Sequence, residues 1–230
     1  MEPLTALGIA TASFVGSHFL LSSHPLRGKL VELVGTGGFM GSYSLVSLAT
    51  FGWMLWAWRD SPMELLWAAP AWTRWITAVG TAVAFFFLVV GVSTPNPTGM
   101  MQSGQLEKGA DAVRGITRIT RHPALWGFAL WGLAHLASNG DVRSAWVMGG
   151  VVVLAIGGMV HIDRRRRRAH PEGWATFAKH TSLVPFAAIL RGDQKLSLSE
   201  IGVMRPLAAI GVFTGMALIH RWTIGVSPWP

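Results

Sequence analysis

Cysteine is absent from the 230 residues. That absence excludes disulfides, iron–sulfur clusters, zinc knuckles and every thiolate-ligated metal, so any metal chemistry must rest on histidine, carboxylate or methionine. Charge is scarce too. Only 13% of residues are Asp, Glu, Lys or Arg, about half the share of a soluble domain, and 51% are hydrophobic. Acid is the scarcer sign, 11 residues against 19 basic ones. The excess does not mark a nucleic-acid binder, because the basic residues flank apolar runs and line no single stripe. No P-loop, no GxSxG elbow, no GxGxxG after a strand and no CxxCH is present, which leaves nucleotide binding, serine hydrolysis and covalent haem without a scaffold. There is no repeat of 20–50 residues and no low-complexity tract beyond the arginines 164–168.

The apolar runs are what remains. They read as an all-α, polytopic integral membrane bundle of about six helices, with spans at about 4–22, 37–58, 74–94, 123–139, 144–162 and 205–223. The whole chain, 1–230, forms one domain on this reading. Glu2 stands where a signal peptide would carry Lys or Arg, so the first run is expected to be a retained span. Residues 61–71 form a loop, and Pro95 and Pro97 end the third span. Residues 105–121 set Ile116 and Ile119 on one side and Arg114, Arg118 and Arg121 on another, the pattern of an interfacial helix. With Arg164–Arg168 in the cytoplasm, six spans place nearly all the basic residues on that side and leave Arg59, Arg74, Arg143 and Arg221 opposite. Both termini then lie outside, in a bacterial-type inner membrane. The tryptophans near span ends form an interfacial belt.

Eight histidines stand out in such a chain. An ionisable side chain within a span is costly and tends to face a cavity, a partner or a cofactor, although a single one is more often a hydrogen-bonded packing residue. His18 and His135 sit within spans beside small residues, Gly16 and Ser17 and Gly132 and Ala134, while His161 and His220 lie near the ends of the fifth and last spans. Small neighbours admit a flat macrocycle that Phe14, Phe19, Trp126, Trp131 and Leu136 could wall, and neutral imidazoles are ligands for haem iron. Depth in the bilayer pairs them differently, His18 with His161 and His135 with His220. His122 lies at the mouth of the fourth span, where it and Arg121 suit an anionic carboxylate such as a propionate, or simply steady the helix start. His24, His170 and His180 read as surface residues.

Several blocks taken together resemble one family: GSHFLLSSHPLR (16–27), GGFMGSYSLVS (37–47), ITRHPALWGFALWGLAHLASNGD (119–141), HIDRRRRR (161–168), HTSLVPFAAILRG (180–192) and IHRWTIGVSP near the end. They are similar to the NnrU family over almost the whole chain, a family whose relatives include the 15-cis-zeta-carotene isomerases of plants and cyanobacteria. The resemblance implies a haem b protein with His18 and His135 as axial ligands. It also implies redox-gated rotation about the central double bond of a carotenoid-like polyene, with an electron donor as a further partner. It equally admits nitric oxide as the small-molecule partner, in denitrification metabolism. RITRHPALWG resembles, besides, the membrane methyltransferases that act on isoprenylcysteine or phospholipids. There Arg121 and His122 would contact S-adenosylmethionine and Glu172 would hold its amino group. Trp126 and Gly173 depart from that pattern.

Overall fold

The computed structural model describes residues 1–229; its regular secondary structure is helical, and among those residues the one β contact is an isolated bridge, Leu65 to Asp141. Nine α-helices follow in order: α1 (Pro3–Ser22), α2 (Leu26–Asp60), α3 (Thr73–Ser93), α4 (Pro123–Ser138), α5 (Val142–Ala169), α6 (Pro171–Lys179), α7 (Ala187–Leu190), α8 (Leu198–Ile201) and α9 (Met204–Ile224). Each expected span coincides with one of the six longest. Only α1, α3, α5 and α9 are both long and apolar enough to cross a membrane, four where the sequence suggests six. At 16 residues, α4 rises about 24 Å, short of a bilayer's roughly 30 Å. α2 has length in excess, but its Gly, Ser and Trp content dilutes its hydropathy.

Two further expectations are corrected. Residues 105–121 do not form an interfacial helix. They form 3-10 segments, Ser103–Ala112 and Gly115–Arg118, interrupted where Gly109 and Gly115 take positive φ. Ile116 and Ile119 pack inward against Phe87, Val90 and Ile201. The second helix also starts earlier than its apolar run. It begins at Leu26 and turns at Gly35, whose φ of 72° a side chain would resist.

Helix α5 is the hub. On one face Gly157 meets the Phe19 ring and Gly150 meets Thr11, which seats α1 parallel to α5. On the opposite face Gly132 of α4 lies against the Met148 carbonyl and Val152, and α4 runs antiparallel. A β-carbon at Gly127 would come within 2.8 Å of the Ala84 carbonyl oxygen, so α3 and α4 touch backbone to backbone. Close approach through small residues is how apolar helices gain packing energy where lipid offers no hydrophobic drive. α2 lies on α1, and α9 on α3, where Phe85 meets Phe213 at 6.2 Å.

The C-terminal ends of α1, α3 and α5 and the N-terminal end of α4 therefore share one end of the bundle. Ser22 meets His161 there, and His122 meets Asp163. That end carries Arg27, Arg114, Arg118, Arg121 and Arg164–Arg168. At the opposite end Leu66 N–H donates to the Gly140 carbonyl at 2.7 Å and Val142 N–H to that of Glu64 at 2.9 Å, tying the 61–72 loop to the α4–α5 turn.

Candidate functional site

His18 and His135 are held alike. Each ring donates Nδ1–H to the carbonyl one turn back, Phe14 at 2.7 Å and Trp131 at 2.8 Å. A donated Nδ1–H fixes the tautomer and leaves Nε2 a bare lone pair, the orientation that metal-ligating histidines adopt. Among the described residues neither Nε2 has a hydrogen-bond partner. Phe14 stands at 4.6 Å and Tyr43 at 5.5 Å edge-on to the His18 ring, and Trp131 at 4.7 Å to that of His135.

The other candidates are engaged. His161 donates Nε2–H to the Ser22 carbonyl at 3.0 Å, with Ser22 Oγ at 3.1 Å, and Ser22 Oγ in turn donates to the His18 carbonyl. His220 donates Nδ1–H to the Val226 carbonyl at 2.9 Å near the chain's end. His161 therefore lies by the C-terminal end of α1, which is close in sequence to His18.

Arg121 and His122 converge on a residue that sequence reasoning passed over. Asp163 accepts from Arg121 Nε at 2.9 Å and Nη2 at 2.6 Å through one oxygen, and from His122 Nε2 at 2.6 Å through the other. Arg121 also stacks 5.6 Å over Trp174, and its carbonyl accepts from Asn96 Nδ2 and Thr98 Oγ1. Burial holds His122 below the ordinary histidine range, against the upward pull of Asp163, so a neutral ring donates to a carboxylate that Arg121 already neutralises. The node pins the start of α4 to α5, and the anion it holds is Asp163. Glu172 is exposed on α6 and touches neither Arg121 nor His122. The lone acid ahead of five arginines was the signal for Asp163. Its partners lie 41 and 42 residues away, beyond any local spacing rule.

A cavity of about 480 Å³ opens beside the 3-10 segments, lined by Asp111, Arg114, Arg118, His180, Gln194 and Glu200, none of them a residue of the histidine sites. Arg118 grips Glu200 through Nε and Nη2, both at 2.8 Å, and this pulls the Glu200 carboxyl down to about 2.

The donor chemistry of His18 and His135 fits haem iron; their placement as a pair on one iron does not fit within this chain. α1 and α4 occupy opposite faces of α5. His18 stands near the level of Gly157 and His135 near that of Val147, about ten residues or 15 Å apart along the axis before the width of α5 is added. Aromatic rings stand beside both histidines, Phe14 and Tyr43 at His18 and Trp131 at His135. Among the described residues, no three His, Asp or Glu side chains gather as a metal-ion cluster.

Four apolar helices long enough to span, a bundle packed through glycines and one strongly basic end fit a helical membrane protein. The profile described as NnrU protein matches residues 6–228, and the chain belongs to that family. It is 31% identical to the chloroplastic 15-cis-zeta-carotene isomerase of Arabidopsis thaliana over 154 residues, 65% of this chain and 41% of that protein. It is 33% identical to the Zea mays protein of the same name over 116 residues, 50% of this chain and 30% of the relative. The chain thus spans less than half the length of either. No solved structure matches it.

Proposed function

We propose that this protein is a cis–trans isomerase of a carotenoid-like polyene, working within the membrane with haem b held at His18. The similarity to proteins named for isomerising 15-cis-zeta-carotene carries the substrate class. The free, oriented Nε2 of His18 carries the cofactor. When bound, haem supplies a redox-switchable Lewis-acidic centre able to polarise a double bond, with an electron donor setting its state. Rotation about a double bond consumes no electrons and moves no atoms between molecules, so the chain's own task is positioning. The Phe14 carbonyl fixes the imidazole's tautomer and direction. Phe14, Tyr43 and Phe51 offer faces along which an extended apolar chain lies, and Phe14 meets Phe51 at 5.5 Å. Six helices cross the membrane in this proposal, with the arginine-rich end cytoplasmic and both termini outside. α2 supplies one crossing between Gly35 and Asp60, and α4 crosses because the Arg121–His122–Asp163 node seats its start at the interface.

The test is spectral and chemical. Protein purified with haem should show a Soret band that His18→Ala abolishes and His135→Ala largely retains. Loss in both variants, each still monodisperse and helical, would show that the two histidines share one iron and would refute the single-histidine site. Reduced protein given 9,15,9′-tri-cis-zeta-carotene should remove the central cis bond. An unchanged pigment with haem intact and reduced would favour nitric oxide as the ligand. A colourless protein that binds S-adenosylmethionine would favour methyl transfer, which here lacks a carboxylate to partner Arg121 and His122 other than Asp163.

A further inference from the structure

The cavity of about 480 Å³ beside the 3-10 segments takes no part in the histidine sites, and its wall carries charges of both signs. Arg118 and Glu200 neutralise one another there. The carboxylate accepts from Arg118 Nε and Nη2 and from the Gly115 N–H at 2.6 Å. Gln194 accepts from Arg118 Nη1, so three of the five guanidinium N–H groups are engaged in the wall and two remain. Arg114 and Asp111 line the same cavity, and neither has a salt-bridge partner among the described residues. His180 adds a ring that donates from one nitrogen in either tautomer. One unpaired cation, one unpaired anion and an internally balanced pair make a receptor for a ligand that is itself charged at both ends. Its volume falls in the range of small-molecule sites, ~300–1,000 Å³.

Height in the bundle says where such a ligand comes from. Ile116, Ile119 and Ile201, neighbours of the wall residues, pack on Phe87 and Val90 of α3, six and three residues before that helix ends at Ser93. At about 1.5 Å per residue they lie about 5–9 Å short of the helix end. A bilayer crossed by α3 therefore brings its headgroups to the level of the cavity. The strap from Phe186 to Met204 around it is apolar on its outer side. Leu190 is 85% exposed and Leu198 70%, with Phe186, Leu196 and Met204 exposed as well. Arg191 and Lys195 stand among them, the mixture of apolar and basic side chains that lies in a membrane interface. We propose that the cavity holds the headgroup of a phospholipid with a primary ammonium, a phosphatidylethanolamine. Arg114, the two remaining donors of Arg118 and His180 take the phosphate, Asp111 takes the ammonium, and the acyl chains leave over the strap. A choline headgroup brings no N–H to Asp111. A glycerol headgroup brings no cation, and leaves Asp111 facing a second anion.

The test varies the lipid first. Full-length protein in detergent is given equimolar phosphatidylethanolamine, phosphatidylcholine and phosphatidylglycerol of identical acyl chains, and the lipid retained is counted by native mass spectrometry. Wild type should retain one phosphatidylethanolamine per chain with at least tenfold preference over either rival, the scale of one charge-assisted hydrogen bond. Asp111→Asn should erase that preference, and Arg114→Gln should weaken retention of all three lipids about tenfold. Glu107→Gln and Arg164→Gln, which alter exposed charges outside this cavity, should change neither. Equal retention of the three lipids by wild type overturns the proposal and needs no variant to fold. An intact preference in both cavity variants overturns it too, since the lipid then sits elsewhere, and so do equal losses in the cavity and control variants. Displacement of the bound lipid by glycerophosphoethanolamine or inorganic phosphate as readily as by the diacyl lipid would show a site for a soluble phosphate and overturn the lipid assignment.

Discussion

Replacing Asp163 with asparagine should cost the fold about 3 kcal/mol, and the arrangement around it fixes that size. Asp163 receives three hydrogen bonds of 2.6–2.9 Å from two side chains. The side chains involved are buried, at 10% exposure for Asp163, 14% for Arg121 and 1% for His122, so solvent screens little of the interaction. Removing one partner of a buried ion pair leaves the other charge uncompensated and typically costs about 3–5 kcal/mol. The lower end applies, because Arg121 keeps the Thr181 carbonyl and the Trp174 ring. The amide NH2 must face either Arg121, a donor, or His122, whose neutral ring would then have to accept at Nε2 and bury an unpartnered Nδ1–H. A loss of 3 kcal/mol lowers the folded-to-unfolded ratio more than a hundredfold. The assay is reversible unfolding of the detergent-solubilised protein by denaturant, followed by circular dichroism, for Asp163→Asn, Arg121→Gln and the double variant. The double variant should cost clearly less than the sum of the singles, by at least 1 kcal/mol, because both break one network. A single-variant cost below about 1 kcal/mol, or strict additivity, would refute the view that this node fastens α4 to α5.

Other predictions concern packing and pH. Gly127→Ala should destabilise the bundle by about 1–3 kcal/mol through overpacking, since its β-carbon would press within 2.8 Å of both the Ala84 carbonyl oxygen and the Leu88 amide nitrogen. Gly16→Ala, where nothing lies within 4 Å, serves as the control, and the same unfolding assay reads both. Glu200 is held down to about 2 from an ordinary 4.5, chiefly by its hydrogen bonds from Arg118. A depressed carboxyl stabilises the folded state above its unfolded value and loses that contribution as pH falls toward the folded one. Acid should therefore weaken the docking of α8 on residues 115–118 between about pH 4.5 and 2. Glu200→Gln should flatten that dependence, as followed by acid titration of amide exchange at Gly115. A slope equal to wild type would show that Glu200 contributes nothing there.

Much of the architecture is visible in residue order. Apolar runs of spanning length set where the helices are, because a backbone in lipid must satisfy its own hydrogen bonds and only a helix does so within one segment. Prolines placed the end of α3, and glycines beside His18 and His135 marked them as unusual. The reading failed where conformation turns on one dihedral or on distance. Gly109 and Gly115 look like ordinary members of an amphipathic stretch until their positive φ breaks it. Gly35 hides nine further residues of α2 behind a kink. Only four helices are both long and apolar enough to span, because α4 has 16 residues and the apolar run of α2 is diluted by polar and small residues.

Local composition thus dictated the helices, the basic end and the chemical poise of His18 and His135, whose Nδ1 needs only the carbonyl one turn earlier. Which groups meet was settled in three dimensions, since lipid rewards helix contacts through shape and small residues rather than through any periodic code a single strand of text displays. Glycines of α5 against α1, and Gly132 of α4 against the opposite face of α5, set α1 and α4 apart and so divided His18 from His135. The same packing carried Asp163 to an arginine and a histidine some forty residues earlier.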